Sequence, residues 1–311
     1  MSRPFLLACL LAALCNGALA GPLAYVPNEK SASVSVIDTT TDQRRGDIAV
    51  GQRPRGGAAD GRHLYLTDAK GGSLLIVDAA GGKLEKSVPL GASPEGISLS
   101  ADGTLLAAAV EDDNSVVLLA APEGRELARI KVQGRNPEHA VFSPDGRWLY
   151  VSAEEAEQVD VLDVAARRQV GSVPVGKRPR GIAFLPDGSR AYVACELAGK
   201  VVAIDVASRQ VVAEVAAGQY PNGVAVLPDG KRVFVSNGRD GTVMAIDTGD
   251  HRVLATIEVG KRPWNMAVTP DGAKLYVANG RSNSVSVIDT GALRKVGDIP
   301  VGELPWGVSI R

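Results

Sequence analysis

Residues 259–302 read VGKRPWNMAVTPDGAKLYVANGRSNSVSVIDTGALRKVGDIPVG, and this stretch decides the fold. Its opening phrase, Gly-x-x-Pro, recurs along the chain in steps of 40, 43, 42, 42, 42 and 42 residues, with the glycine at Gly51, Gly91, Gly134, Gly176, Gly218, Gly260 and Gly302. A β-rich repeat of about 42 residues is typical of a four-stranded propeller blade. The sequence therefore predicts an all-β, seven-bladed β-propeller of four-stranded antiparallel blades.

Within this stretch, four β-rich runs are separated by turn residues, and we predict strands at 265–269, 274–278, 284–288 and 295–301. An Asp-Gly pair follows the first run here and in the other internal repeats. An aspartate also ends the third strand in most repeats, at Asp38, Asp78, Asp163, Asp205, Asp247 and Asp289. We expect these aspartates to cap turns by accepting backbone N–H groups rather than to act in catalysis.

The two ends of the chain each carry part of one blade. Only nine residues follow Gly302, which is enough for one inner strand, whereas residues 23–50 contain three β-rich runs. We therefore predict that residues 306–310 pair with the blade built from residues 23–50 and close the ring. Blades one to six begin at the prolines Pro54, Pro94, Pro137, Pro179, Pro221 and Pro263, and the composite blade is blade seven.

Residues 1–20 have the features of a secretory signal peptide. Arg3 precedes an apolar run from Phe5 to Cys15, and Ala18-Leu19-Ala20 offers small residues for cleavage before Gly21. We expect an exported, periplasmic protein with one propeller domain over 21–311 and no membrane span. The formal charge of −1, which becomes −2 without Arg3, makes nucleic acid an improbable partner. Cys195 is then the one remaining cysteine, and we expect it to be an inert core residue.

The second strand and its exit read Tyr25-Val-Pro-Asn28, Tyr65-Leu-Thr-Asp68, Phe234-Val-Ser-Asn237 and Tyr276-Val-Ala-Asn279 in four repeats. Together with the PDG and VIDT turns, these segments resemble the YVTN family of β-propeller repeats. At finer grain the chain is similar to the PQQ-dependent catabolism-associated β-propeller proteins. That resemblance implies an association with periplasmic quinoprotein alcohol oxidation, without naming a reaction or a cofactor.

Strand alternation places the Gly-x-x-Pro loops and the loops after the second strands on one face, around the mouth of the central channel. Propeller ligands commonly bind at such a mouth. We predict a ligand-binding rim from the side chains that follow each proline: Arg55, Glu95, Glu138, His139, Arg180, Asn222, Trp264 and Trp306. We expect blades two and three to form an acidic sector and blades four, six, seven and one to form a basic one. The alternatives are solvated or mutually paired charges, and tryptophans that pack between blades.

No nucleophile elbow, HExxH, P-loop or CxxC motif occurs, so no catalytic residue is predicted. One histidine beside two glutamates offers too few ligands for a metal site. The leading hypothesis is a monomeric, non-catalytic binding or assembly protein that holds a small anionic ligand or a quinoprotein dehydrogenase at the rim. The alternatives are a lactonase-like hydrolase and a single-stranded nucleic-acid-binding propeller. We expect that removing Arg55 and Arg180 together weakens binding without changing the melting temperature, and that Lys70 and Arg239, in outer loops, contribute less.

Overall fold

The computed structural model describes residues 21–311, so the predicted signal peptide at 1–20 lies outside the described residues. Seven four-stranded antiparallel sheets surround a central channel, as the repeat predicts. Blade one contains β4 (Pro54–Ala59), β5 (His63–Asp68), β6 (Ser73–Asp78) and β7 (Lys83–Pro89). Blade two contains β8 (Pro94–Leu99), β9 (Leu105–Val110), β10 (Ser115–Ala120) and β11 (Arg125–Lys131).

Blades three to six repeat this order from the innermost to the outermost strand. Blade three contains β12 (Pro137–Phe142), β13 (Trp148–Ala153), β14 (Gln158–Asp163) and β15 (Arg168–Pro174). Blade four contains β16 (Pro179–Phe184), β17 (Arg190–Cys195), β18 (Lys200–Asp205) and β19 (Gln210–Ala216). Blade five contains β20 (Pro221–Val226), β21 (Arg232–Asn237), β22 (Thr242–Asp247) and β23 (Val253–Glu258). Blade six contains β24 (Pro263–Val268), β25 (Lys274–Asn279), β26 (Ser284–Asp289) and β27 (Arg294–Pro300).

Blade seven confirms the predicted closure. Its strands run in the order β28 (Ser309–Ile310), β1 (Leu23–Asn28), β2 (Ser33–Asp38) and β3 (Gln43–Ala49). Ala24 pairs with Ile310 and Tyr25 with Ser309. The backbone N–H of Trp306 also donates to the Pro27 carbonyl at 2.9 Å. The ladder covers only the end of the predicted segment 306–310. The inner strands of the other blades show the same interruption of register just after their proline, as β24 does between Pro263 and Met266.

The hydrophobic core fills the spaces between adjacent blades. The aromatic residue of the second strand is fully buried in five blades, as Tyr65, Tyr150, Tyr192, Phe234 and Tyr276. The hydroxyl of Tyr276 in blade six donates to Asp42 in blade seven, across the junction between the two blades. This pattern explains why the repeat retains an aromatic residue: its ring buries a large apolar area against the neighbouring blade.

The turns follow the expected chemistry. Asp289 Oδ1 accepts the backbone N–H groups of Gly291 at 3.0 Å and Ala292 at 2.9 Å, and Asp271 Oδ1 accepts that of Ala273 at 3.0 Å. The aspartate caps are therefore confirmed at these turns. Helical structure in residues 21–311 amounts to one 3-10 turn at Glu154–Ala156. In this part of the chain, no helix has the length and apolar character needed to cross a membrane.

Candidate functional site

Two sets of loops meet around one end of the channel. The backbone N–H of Gly280, after the second strand of blade six, donates to the Arg262 carbonyl at 2.9 Å, and Arg281 N–H donates to the Lys261 carbonyl at 3.0 Å. The Gly-x-x-Pro loops and the loops after the second strands therefore share one face, as predicted. We call this end of the channel the mouth.

The loop before each inner strand has an unusual backbone. In six of the seven blades, the residue before the proline has a φ of 52° to 58°: Ser93, Asn136, Arg178, Tyr220, Arg262 and Leu304. This left-handed conformation costs a non-glycine residue roughly 1–2 kcal/mol. Its recurrence in chemically different residues shows that the turn into the inner strand requires it. The turn brings the side chains on both sides of each proline to the mouth.

A third repeat position supplies carboxylates. The residue directly after the second strand is a glutamate in blades seven, two, three and four, namely Glu29, Glu111, Glu154 and Glu196. It is an alanine in blade one and a glycine in blades five and six. The acidic residues therefore surround only part of the mouth.

Arg180 lies at the centre of one group of these glutamates. Its Nη1 lies 2.8 Å from Glu138 Oε1 and also contacts the carboxylate of Glu154, while its Nε donates to Glu196 Oε2 at 2.9 Å. The Arg180 side chain is only 13% exposed. A guanidinium with five donors in a fixed plane suits three carboxylates, because it can serve them from different edges.

A second group of ion pairs forms around Arg55. Its guanidinium contacts Glu95, whose side chain is fully buried, and lies 3.4 Å from Glu29 Oε1. The side chain of Arg55 is 17% exposed. Both predicted rim arginines are therefore bound to glutamates, as in the paired-charge alternative, and they do not form a separate basic sector.

This pairing corrects the expectation that Arg55 and Arg180 are removable without loss of stability. Each arginine neutralises glutamates that are themselves largely buried. Removing the arginine leaves these charges with no partner, which typically costs 3–5 kcal/mol when the pair is buried. The rim charges are thus part of the structure of the mouth as well as candidates for binding.

Glu138 and Glu154 have opposite pKa shifts. Burial, with the nearby charge of Glu138, raises the pKa of Glu154 to about 7. The pKa of Glu138 is lowered: burial acts to raise it, but the charges of Arg180 and Arg55 outweigh that effect. A carboxyl group that titrates near neutral pH beside an arginine is a common feature of ligand-binding and catalytic sites.

The mouth contains a polar cavity of about 190 Å³. Four arginines and four glutamates line it together with Asn222, Asn265, Trp264 and Trp306; the charged residues are Arg55, Arg178, Arg180, Arg262, Glu29, Glu111, Glu138 and Glu154. Six of the eight predicted rim residues therefore lie at one cavity. Glu95 lies directly behind Arg55, and the ring of His139 packs against that of Trp306 with centroids 5.4 Å apart.

The two tryptophans pack as buried aromatic residues and also line the predicted binding site, so both of the roles considered for them apply. Trp306 is buried, and Trp264 is partly buried against the backbone of Gly280, yet both rings border the cavity.

Burial lowers the pKa of His139, which favours its neutral form. Among residues 21–311, no group of three or more His, Cys, Asp or Glu side chains is placed to hold a metal ion. Cys195 is buried, which raises the pKa of its thiol to about 12.

Glu29 and Glu196 were not predicted as site residues. Glu196 contacts Arg178, Arg180 and Arg262, and Glu29 contacts Arg53 and Arg55. Aligning the repeats at the end of the second strand would have revealed both, because a glutamate occupies that position four times in seven blades. The rule that rim residues follow the proline overlooked this second source of side chains.

The fold and the site define a seven-bladed propeller with a charged, polar mouth. The chain belongs to the YNCE-like β-propeller family, whose family model matches residues 48–232. A second family model, described as lactonase, 7-bladed beta-propeller, matches residues 164–306. No curated protein matches the sequence.

Many solved structures share the fold. Hydrazine synthase from Kuenenia stuttgartiensis is 24% identical, with a TM-score of 0.78 over 86% of this chain and 92% of that chain. A functionally unknown protein from Desulfotomaculum acetoxidans DSM 771 is 16% identical, with a TM-score of 0.79 over 93% of this chain and 98% of that chain. At these identities the similarity concerns the fold alone.

Proposed function

We propose that the protein is a non-catalytic binding protein that holds a small anionic ligand with hydroxyl groups at the mouth. The observation that carries the proposal is the composition of the cavity, whose lining contains both guanidinium donors and carboxylate acceptors. A carboxylate on the ligand would accept from arginine, and hydroxyl groups would donate to glutamate. The volume of about 190 Å³ corresponds to roughly six water molecules at ~30 Å³ each, which suits a small hydroxy acid.

An unsatisfied polar atom supports a ligand at this position. Arg55 Nε is buried and has no hydrogen-bond partner among the described residues. Buried polar atoms in folded proteins are nearly always paired with protein, water or ligand. Arg55 lines the cavity, so a ligand or an ordered water there would satisfy its Nε.

Calorimetry with lactate and glycerate tests this proposal. We expect the protein to bind at least one of them and Arg55→Lys to weaken that binding about ten-fold, because lysine keeps the charge but loses the planar fork. Lys70→Arg, in the loop after the second strand of blade one but outside the lining of the cavity, is the matched control and should leave the affinity unchanged. No binding of either acid, or equal binding by Arg55→Lys and the parent, contradicts the proposal.

The finer part of the proposal is that the protein is exported and supports quinoprotein-linked alcohol oxidation in the periplasm. It rests on the signal-peptide pattern at 1–20 and on the resemblance of the repeats to the PQQ-dependent catabolism-associated propellers. Purification of a tagged full-length chain from the periplasm of cells grown on an alcohol tests it. Recovery of a quinoprotein dehydrogenase with the protein supports the association, and its absence from cross-linked samples contradicts it.

Lactone hydrolysis is a second candidate function because of one specific observation. Glu154 titrates at a pKa of about 7 and contacts Arg180, so it could act as a general base on water while arginine stabilises an oxyanion. The lactonase family model covers residues 164–306, which include Arg180 but neither Glu138 nor Glu154. Hydrolysis of gluconolactone above the spontaneous rate, lost in Glu154→Gln, would establish this activity; equal rates with and without protein would exclude it for that substrate.

A further inference from the structure

A second depression lies beside the mouth, between blades five and six. We call it the lateral groove. It has a volume of about 910 Å³, and its lining includes Arg178, Tyr220, Arg239, Lys261, Arg262 and Arg281. Arg178 and Arg262 also line the mouth cavity, so the two spaces share one wall.

The lateral groove is basic because of the repeat position that supplies glutamates elsewhere. In blades five and six this position holds Gly238 and Gly280. A side chain at Gly280 would collide with Trp264, since its Cβ would lie 2.6 Å from the indole ring. A Cβ at Gly238 would lie 3.1 Å from the Tyr220 carbonyl and 3.2 Å from Arg262 Nη1. The packing of the groove thus excludes a carboxylate at Gly280 and disfavours one at Gly238.

Three cations of the lateral groove consequently have no acidic partner. Within residues 21–311, Arg239, Lys261 and Arg281 form no ion pair, while Arg262 donates to Glu196 at 2.9 Å. The lining contains five cationic side chains and three acidic ones, Glu196, Asp240 and Glu258, so the groove keeps a net positive charge. Glu196 is shared by three arginines, and Asp240 accepts the backbone N–H of Gln219 at 2.7 Å.

Tyr220 fixes the positions of two guanidinium groups. The Cζ atoms of Arg239 and Arg262 lie 5.6 Å and 5.5 Å from the centre of its ring, within the range of cation–π contacts. The backbone of Tyr220 is held by the 2.7 Å hydrogen bond from Gly238 N–H to its carbonyl. Arginines restrained in this way lose less conformational entropy when they bind an anion.

We propose that the lateral groove binds a small molecule that carries two or more carboxylate or phosphate groups. Three unpaired cations in one concave site match such a ligand, and arginine forks bind both groups in a bidentate manner. The volume of about 910 Å³ lies within the range of small-molecule pockets. This site is separate from the hydroxy-acid site proposed for the mouth and does not depend on it.

Calorimetric titrations with citrate and pyrophosphate at low ionic strength test the proposal. We expect at least one of them to bind, and the double substitution Lys261→Ala with Arg281→Ala to raise its Kd ten-fold or more. The matched control is Lys231→Ala with Arg294→Ala. These two exposed residues belong to the same two blades but lie at turns of the opposite face, so their loss should change the Kd less than two-fold.

The results of these titrations distinguish binding in the lateral groove from binding in the mouth cavity. Arg55→Lys, which keeps the positive charge beside Glu95, should leave citrate or pyrophosphate binding within two-fold, even if lactate and glycerate fail to bind at all. The proposal is overturned if neither oligoanion binds, or if both double variants weaken binding equally. It is also overturned if a short oligothymidylate binds while both small oligoanions do not, because that result assigns the basic groove to single-stranded nucleic acid.

Discussion

Glu196 Oε2 accepts a hydrogen bond from Arg180 Nε at 2.9 Å, and the Glu196 side chain is only 1% exposed. The other oxygen of Glu196 accepts from Arg262 Nη2 at 2.9 Å, and Arg178 Nε lies 3.2 Å from Oε2. One buried carboxylate of blade four therefore joins three arginines and connects blade four with blade six across blade five. This arrangement makes Glu196 the organising residue of the mouth.

Replacing Glu196 should destabilise the whole propeller. In Glu196→Gln, three clustered guanidinium groups lose their shared negative charge in a largely desolvated site. We expect a loss of about 3 kcal/mol in the free energy of unfolding, measured by urea denaturation. Glu214→Gln, which breaks the exposed pair with Lys200, is the matched control and should cost less than about 1 kcal/mol. Equal effects of the two substitutions would show that the buried network has no special role.

Arg180→Met should also destabilise the protein, and the loss should depend on pH. Methionine keeps much of the side-chain volume but leaves Glu138, Glu154 and Glu196 without their common partner. We expect a loss of about 3 kcal/mol or more at neutral pH that becomes smaller in acid, where Glu138 and Glu154 take up protons. Arg168→Met, at an exposed strand end, serves as the control. A melting temperature of Arg180→Met close to that of the parent at pH 7 contradicts this prediction.

Glu154 should give the stability a distinct pH dependence. Folding raises its pKa from the ordinary 4.5 to about 7, so between these values the folded state holds a proton that the unfolded state has released. Stability from Glu154 is therefore complete below about pH 4.5 and is lost as the pH rises towards about 7. The lowered pKa of Glu138 acts in the opposite sense and removes stability in more acidic solution.

Melting curves measured from pH 4.5 to 7.5 test this assignment. Glu154→Gln should flatten the decline in melting temperature between pH 5 and pH 7, since glutamine has no proton to release. Glu155→Gln, at the exposed neighbouring position of the same 3-10 turn, should leave the parent profile unchanged. A Glu154→Gln profile as steep as that of the parent would contradict the raised pKa.

Deleting residues 303–311 should open the ring. The deletion removes β28, its pairing with β1, and the hydrogen bond from Trp306 N–H to the Pro27 carbonyl, and it exposes one edge of blade seven. We expect a sharply lower melting temperature and a tendency to aggregate. Glu303→Ala, which removes only an exposed ion pair with Lys30, controls for changes at this terminus. A truncated protein that melts within a degree or two of the parent would refute the closure as a source of stability.

Gly280→Ala should displace Trp264 from the mouth. The new Cβ would lie 2.6 Å from the indole ring, and real Cβ contacts are not that short. We expect a change in the tryptophan emission spectrum together with a loss of roughly 1–3 kcal/mol, as for other overpacked sites. Gly297→Ala, where no atom lies within 4 Å of the added Cβ, should leave the emission unchanged. An unaltered spectrum in Gly280→Ala would show that Trp264 does not depend on this glycine.

Only part of the charged site at the mouth could be predicted from the sequence. The position after each proline pointed to Arg55, Arg180 and Trp264, which line the mouth cavity, because the repeat places equivalent residues on equivalent loops. It did not reveal that Arg180 of blade four contacts Glu138 of blade three, or that Arg262 of blade six contacts Glu196 of blade four. Such partners depend on the lengths and directions of side chains that cross between blades. The period of the sequence contains no information on that geometry.

The sequence by itself determined the architecture. The 42-residue period and the nine residues left after Gly302 require seven blades and a composite closure, because a repeat that cannot bury its own faces must pack against copies of itself. Only the tertiary structure decided the electrostatics of the mouth. Whether an arginine is free or paired depends on which carboxylates lie within a few ångströms of it, and burial then sets the pKa of Glu154. Pairing removed Arg55 and Arg180 from the free basic surface, while Gly238 and Gly280 left Arg239, Lys261 and Arg281 unpaired beside it.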